Sequence, residues 1–159
     1  MGFVEITRPT LADQKADILK VFPWTRTLIS FVVRINRENL RSPARSIASL
    51  ELHQGEERLI HAARAITAAL ERKGVRASTP APGFPMEADL WGNGTMHVVS
   101  HKPIAVDAGL GKMGLHRNVI HPVFGSFVLL NTVVIDAELD EYDTPLDYRS
   151  EERRVGKEC

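Results

Sequence analysis

Glycines and histidines with the spacing of a ligand site are concentrated in residues 105–136, AVDAGLGKMGLHRNVIHPVFGSFVLLNTVVID. Gly109, Gly111 and Gly114 follow the pattern G-x-G-x-x-G, which lets a backbone turn sharply and approach a ligand closely. A basic segment with two histidines comes next, followed by a Gly125-Ser126 turn and a run rich in β-branched residues. We therefore take this segment as the candidate cofactor site.

The same glycine spacing occurs in dinucleotide-binding folds, where a strand precedes the glycines and a helix follows them. Here the order is reversed, because residues 103–108 predict a short helix and residues 116–120 predict a strand. Asp136 nevertheless lies about 20 residues further on, at a strand end, where such folds place the acidic residue that hydrogen-bonds the ribose of the cofactor. A nicotinamide site and a purely structural turn both remain alternatives.

Four histidines flank or follow the glycines: His97, His101, His116 and His121. Histidines four apart share one face of a helix, but a neighbouring glycine and proline disfavour a regular helix through His97. Carboxylates that could complete a metal site are scattered along the chain. We expect no metal site, and ordinary hydrogen bonding for each histidine.

The composition indicates a single globular domain. The chain has 159 residues, is 43% hydrophobic and has a formal net charge of zero, so it can bury a core but has no broad electrostatic footprint for nucleic acid. A local group of basic residues is interpreted as a solvated loop: Arg34, Arg37, Arg41 and Arg45. The single cysteine, Cys159, leaves residues 1–158 without a thiolate ligand or nucleophile.

Nothing in the sequence indicates a membrane partner. No apolar run reaches the roughly 18 residues of a membrane span. The N-terminus also lacks the basic and apolar blocks of a signal peptide. We therefore predict a cytoplasmic protein.

The first half of the chain predicts two helices around a strand. Residues 9–21 favour a short helix, residues 27–35 a buried strand and residues 36–46 a charged loop. A long amphipathic helix follows over residues 50–73. Its apolar face is predicted to contain Leu52, Leu59, Ile66 and Leu70, with Ile60 and Ala63 beside it. Gly55 would weaken this helix by about 1 kcal/mol relative to alanine.

The second half predicts a proline-rich extended loop over residues 77–86, as a lid or ligand wall, and a short helix with Pro103 in its first turn. Strands follow at residues 119–120 and 127–135. Because helices and strands do not alternate strictly, the expected class is an α+β layered fold.

Residues 100–136 resemble the core motif of epoxyqueuosine reductase and related iron–sulfur proteins, approximately A-x-x-A-G-L-G-x-x-G-K-N…P-x-F-G-S-x-x-x-L-G-E. AGLG at residues 108–111, Gly114 and P-x-F-G-S at residues 122–126 match. The resemblance implies a nitroreductase-like domain, with a layered mixed sheet flanked by helices, that binds cobalamin. The implied cofactor-binding residues are Gly109, Gly111, Gly114, His116, Asn118, Gly125 and Ser126.

The chain departs from the family where the family places a proton-donating Asp, about a dozen residues before the glycines. Residues 93–102 contain no Asp or Glu, and Thr95 lies nearest that position. Epoxide opening needs a general acid, so the departure favours a related reductase with another substrate. His97 is the candidate catalytic acid, since imidazole titrates near neutral pH; an ordinary hydrogen-bonding role is the alternative.

Three segments are predicted: a cofactor-binding domain over residues 1–138, an acidic linker over residues 139–148, and an adapter-like, non-native tail over residues 149–159. In the family a ferredoxin-like module with two [4Fe-4S] clusters follows the linker. We therefore expect this chain to be inactive alone, as the N-terminal half of an iron–sulfur reductase. Its substrate, a small molecule or a modified nucleoside, is unknown. The alternatives are a flavin-binding reductase domain and a non-catalytic electron-transfer accessory domain.

Overall fold

The computed structural model describes residues 1–82 and 97–147, and every structural statement below concerns those residues. Four strands form the main sheet in the order β1-β2-β6-β3, and β4 and β5 form a separate hairpin. The strands are β1 (Gly2–Glu5), β2 (Thr27–Arg34), β3 (Ala77–Ser78), β4 (Lys112–Met113), β5 (Val119–Ile120) and β6 (Val128–Ile135).

Four α-helices accompany the strands. They are α1 (Ala12–Val21), which follows a 3-10 turn at Pro9–Leu11, α2 (Arg37–Arg41), α3 (Arg45–Glu71) and α4 (His101–Asp107). The predicted helix over residues 9–21, the short helix containing Pro103 and the strands at residues 27–35, 119–120 and 127–135 are thereby confirmed to within a residue or two. None of the helices in the described ranges is long and apolar enough to cross a membrane.

The sheet separates two apolar layers, which confirms the α+β layered class. β2 and β6 are the central pair, in register from Thr27 opposite Ile135 to Arg34 opposite Val128. One face packs on α1 and α4 through residues such as Leu28 and Val134, and the other packs on α3. Alternate residues of each strand point to opposite faces, so these two strands supply both cores.

All strand pairs of the described sheet are antiparallel, whereas the sequence resemblance implied a mixed sheet. A parallel neighbour needs a crossover connection that returns the chain to the same end of the sheet. Here β3 and β6 run in opposite directions. The long segment between them therefore joins two antiparallel neighbours and is not a parallel crossover.

The buried face of α3 differs from the predicted one. Its fully buried residues are Glu51, Gly55, Leu59 and Ala63. Leu52 and Ile60 are 45% and 39% exposed, so their assignment to or beside the apolar face is wrong. The reason is a close helix–sheet contact: a Cβ at Gly55 would lie 2.7 Å from Ile35 Cγ2. Gly55 therefore permits close packing of α3 on the sheet.

The segment over residues 36–46 is not the predicted loop. It contains α2 and the beginning of α3. The Asn36 side chain accepts hydrogen bonds from the backbone N–H groups of Glu38 and Asn39, which caps α2. The buried Glu51 carboxylate accepts bonds from Asn36 N at 2.7 Å and Asn39 Nδ2 at 2.9 Å. These contacts fasten α2 to α3.

Part of the proline-rich segment predicted over residues 77–86 pairs with the sheet as β3, and residues 79–82 continue without helix or strand. Residues 83–86 of that segment, and Thr95, lie outside the described residues.

Residues 139–147 have no helix or strand, as expected for a linker, but they are bound to the rest of the chain. The Asp143 carboxylate accepts a bond from Phe3 N at 2.8 Å, and Asp143 N donates to Phe3 O at 3.0 Å. The Tyr142 hydroxyl lies 3.0 Å from the Thr27 hydroxyl. This segment, which we call the strap (residues 139–147), therefore fastens the ends of β1 and β2.

Candidate functional site

The glycine segment consists of a helix end followed by a β-hairpin. Gly109 follows α4 with φ of +67°, and two bonds close the helix: Gly109 N to Val106 O at 3.0 Å and Leu110 N to Ala105 O at 2.9 Å. This is the Schellman arrangement, in which glycine accepts the left-handed conformation without a side-chain clash. The first glycine therefore ends a helix.

The other two glycines of the pattern allow close contacts within the hairpin. A Cβ at Gly111 would lie 2.5 Å from the backbone oxygen of Ile120, and a Cβ at Gly114 would lie 2.6 Å from the His116 ring. The chain's own atoms fill the space beside both glycines. Because a helix precedes the glycines and a hairpin follows them, the dinucleotide alternative is wrong.

An open cavity of about 700 Å³ lies beside this hairpin. The end of β2 and α2 form one wall, and the turn between β5 and β6 forms the other. The residues that give it chemical character are Arg34, Arg37, Arg41, His116, His121, Phe124, Gly125, Ser126 and Phe127.

The three arginines of the cavity lie against phenylalanine rings. Arg34 Cζ is 5.7 Å from the centre of the Phe124 ring, and Arg37 and Arg41 Cζ lie 5.6 and 5.7 Å from that of Phe127. Cation–π contacts at such distances stabilise exposed cations by about 0.5–1 kcal/mol. These contacts hold the three guanidinium groups against the aromatic rings of the cavity wall.

The two histidines of the cavity have defined hydrogen-bonding roles. His116 Nδ1 accepts from Asn118 N at 3.2 Å, and His121 Nδ1 accepts from Val123 N at 3.1 Å. A nitrogen that accepts from a backbone N–H carries no proton. Each neutral imidazole consequently has its proton on Nε2, where it acts as a donor.

The arginine and histidine side chains of the cavity are therefore hydrogen-bond donors, and they lie beside apolar residues such as Ile35, Ile120 and Val123. No Asp or Glu is among its lining residues in the described part of the chain. The buried carboxylate of Glu51 does not line the cavity and accepts hydrogen bonds from Asn36, Asn39 and Arg58. The backbone bond from Asn36, assisted by Asn39 and Arg58, holds the pKa of Glu51 below its ordinary value. Such an arrangement suits a ligand with anionic or carbonyl oxygens.

The predicted cofactor-binding residues are only partly brought together. His116, Gly125 and Ser126 line the cavity. Gly125 adopts φ of +60°, and a Cβ there would meet nothing within 4 Å. Gly109, Gly111, Gly114 and Asn118 lie in the adjoining helix end and hairpin, but they do not line the cavity.

His97, the candidate acid, is exposed and lies apart from the cavity-lining residues. Its neighbour His101 is more deeply placed: His101 Nδ1 is 2.9 Å from Thr132 Oγ1, and Nε2 is 3.2 Å from Ala81 O. Burial lowers the pKa of His101; the Ala81 carbonyl opposes the shift, and the nearby His97 adds to it. No group of three or more potential metal ligands occurs within the two described ranges.

Sequence reasoning missed the arginines as site residues. They were interpreted as a solvated loop, and all three are exposed. Their spacing contained a clue, because Arg37 and Arg41 are four residues apart and lie on one face of a helix. The phenylalanines against which they pack come from a turn about 90 residues further along the chain, and local patterns do not show such a pairing.

No family model matches the sequence, and no curated protein matches it. Solved structures do. An epoxyqueuosine reductase bound to an epoxyqueuosine-modified tRNA stem loop matches 92% of this chain and 43% of its own, at 13% identity and a TM-score of 0.53.

Two further structures agree. The Streptococcus thermophilus epoxyqueuosine reductase matches 92% of this chain and 44% of its own, at 14% identity and a TM-score of 0.51. The Bacillus subtilis enzyme, with its catalytic loop swung out of the active site, matches 92% of this chain and 43% of its own, at 14% identity and a TM-score of 0.54.

The chain has the fold of epoxyqueuosine reductase. It spans less than half the length of these reductases. The resemblance noticed in residues 100–136 thus extends, as a fold, over most of the chain. The layering expected from that resemblance is the one observed.

Proposed function

We propose that this chain is the cobalamin-binding domain of an oxidoreductase related to epoxyqueuosine reductase. The observation that carries the proposal is the structural match over 92% of the chain to such reductases. The matching P-x-F-G-S turn supports it, because Gly125 and Ser126 of this turn line the cavity.

The residues of the cavity fit part of a cobalamin. That cofactor carries amide side chains and one phosphodiester, whose oxygens accept hydrogen bonds. The cavity offers guanidinium groups from three arginines, the Nε2 donor of His116 and the open backbone at Gly125. A cavity of about 700 Å³ that opens to solvent would cover an edge of so large a group. A partner module would cover the rest.

In this proposal the chain binds and orients the cofactor. His116 and the arginines hold the periphery of the cofactor, and Gly109, Gly111, Gly114 and Asn118 fix the hairpin that presents His116. A bound cobalamin supplies the metal centre through which electrons reach the substrate, and the protein supplies position and environment. Although His97 does not line the cavity, we propose it as the donor of the proton that the reduced substrate takes up.

Electron delivery is assigned to another module. Four cysteines bind a [4Fe-4S] cluster, and this chain has one. We propose a ferredoxin-like partner module beyond the strap and a cytoplasmic setting. The tRNA-bound relative makes a modified nucleoside the first substrate class to test. The chain alone would be inactive.

The first experiment is a titration of the purified chain with hydroxocobalamin, followed by the visible spectrum of the corrinoid and by equilibrium dialysis. We expect saturable binding at one site, weakened at least 10-fold in His116→Ala. Arg64→Ala, an exposed arginine in the middle of α3, is the matched control and should bind like the wild type.

Two results would contradict the proposal. Uptake of flavin with no uptake of corrinoid would support the flavin-binding alternative. Failure to bind either cofactor, by a chain that circular dichroism shows to be folded, would support a non-catalytic accessory domain.

A further inference from the structure

We infer that the cavity described above binds phosphate. Its ligand would present a phosphate group to Arg34, Arg37 and Arg41, which together we call the arginine wall. The inference concerns the same cavity as the proposed function but does not require it, because phosphate binding by this wall can be tested without cobalamin. It rests on the charge, rigidity and donor pattern of the wall.

The charge of the wall is unbalanced. Three guanidinium groups lie along one cavity, no lining residue is acidic, and the ion pairs found in the described ranges involve Arg26 and Arg58 instead. In a chain with a net charge of zero, three cations without acidic partners concentrate positive potential at one point. An anionic ligand would neutralise it.

The positive groups are all arginines, which favours phosphate. A guanidinium presents a planar fork of N–H donors that matches two oxygens of a phosphate, whereas lysine acts as a point charge. Arg37 and Arg41, one helical turn apart on α2, both lie against the ring of Phe127. Two guanidinium groups from α2 and a third from the end of β2 therefore line the same cavity.

The wall is also held in place before a ligand arrives. The Phe124 ring contacts Arg34 and also stacks on the ring of His121, with the two ring centres 4.7 Å apart. The helix that carries Arg37 and Arg41 is capped by Asn36, which is itself bonded to the buried Glu51. Side chains that are already ordered lose less conformational entropy when they bind, so affinity rises.

The remaining groups complete the donor pattern. His116 offers an N–H donor at Nε2, because its Nδ1 accepts a hydrogen bond from the backbone N–H of Asn118. Gly125 leaves open space, since a Cβ there would meet nothing within 4 Å. A phosphate with four oxygens can use several donors at once, whereas a carboxylate has two.

A compact phosphate group fits these observations better than an extended nucleic acid. A backbone of many phosphates needs a stripe of basic residues, and the cationic groups here converge on one concave place. The phosphate could belong to a separate phosphomonoester, such as a nucleoside monophosphate, or to the phosphodiester of a bound corrinoid. Both sources share the chemistry that the wall recognises.

The test uses the full chain with inorganic phosphate and adenosine monophosphate as probes, measured by isothermal titration calorimetry and by phosphorus NMR line width. We expect saturable binding, at least 10-fold weaker in the double variant Arg37→Ala/Arg41→Ala. Both arginines are exposed, so the variant should still fold, and the loss of two cation–π contacts of about 0.5–1 kcal/mol each should lower its Tm only slightly. The double variant Arg64→Ala/Arg72→Ala, on exposed positions of or just after α3, removes the same charge elsewhere and should bind like the wild type.

An equal loss of phosphate binding in both double variants would overturn the inference, because it would indicate a general effect of net charge. Absence of binding by the wild type, or binding of an RNA stem loop alone, would also overturn it. Competition separates the two sources. If cobalamin displaces phosphate and cobinamide, which lacks the phosphodiester, does not, the site serves the corrinoid. If phosphate binds with the same affinity in the presence and absence of cobalamin, the site serves a separate phosphomonoester. The same conclusion holds if the chain binds phosphate but takes up no cobalamin.

Discussion

Phe3 and Asp143 are joined by two reciprocal hydrogen bonds, one from Phe3 N to the Asp143 carboxylate and one from Asp143 N to Phe3 O. The first strand of the sheet is therefore fastened by a segment near the far end of the described chain. This relationship gives the strap a structural role that its irregular sequence does not indicate.

Asp143→Ala should lower the free energy of unfolding by about 1 kcal/mol, the usual net value of one hydrogen bond. Urea denaturation measures the change. Glu141→Ala, an exposed acidic residue of the same strap, is the control and should have no measurable effect. Equal stability of the Asp143 variant and the wild type would show that the strap contributes nothing to folding.

Ser30 and Thr27 lie on the same strand, both fully buried, but differ in hydrogen bonding. The Ser30 hydroxyl has no partner within the described ranges, whereas Thr27 Oγ1 donates to Ala137 O at 2.6 Å. Because an unpaired buried hydroxyl costs free energy, Ser30→Ala should stabilise the protein by about 1 kcal/mol. Thr27→Val should destabilise it by about 1 kcal/mol. Thermal denaturation of the two variants should show opposite shifts in Tm, and shifts of the same sign would refute the assignment.

Gly111 and Gly114 should respond differently to alanine. The Cβ of Gly111→Ala would meet the backbone oxygen of Ile120 at 2.5 Å, and overpacking against backbone costs about 1–3 kcal/mol. The Cβ of Gly114→Ala would meet the His116 side chain, which can rotate away. We expect a large loss of stability in the first variant. In the second we expect a small loss of stability, a shifted NMR resonance of the His116 ring and weaker binding at the cavity.

His101 should make stability depend on pH. Burial lowers its pKa in the folded state, so between that lowered value and the ordinary value of about 6.5 the unfolded chain binds the extra proton. Stability therefore rises with pH across this window and is lost as pH falls through it. Urea titrations at several pH values should show this slope in the wild type and lose it in His101→Gln. His61→Gln, an exposed residue of α3, should retain the slope.

Local patterns in the sequence predicted the elements well. Runs of apolar, β-branched residues located the central strands, and the amphipathic pattern over residues 50–73 located most of α3. These features depend on neighbours within a few residues. Pro103 in the first turn of α4 was predicted for the same reason.

Contacts between distant residues were not predictable in this way. Glu51 was not recognised as buried, because its partners on α2 enter only through the fold. Leu52 was placed on the wrong face, since Gly55 rather than a large apolar residue sets the helix–sheet contact. The arginine wall was missed because its rings come from a distant turn.

The central pair of the sheet determines when this protein can fold during its synthesis. Thr27 on β2 pairs with Ile135 on β6, about a hundred positions later in the chain, and such distant pairings fold slowly. A nascent chain can form the β1–β2 pair early, but the other edge of β2 must wait until the ribosome has released β6. Until then the apolar residues of β2 lack the contacts that β6 contributes to both cores. The order of translation thus leaves one edge of β2 unpaired, and chaperones or other nascent chains can bind to it.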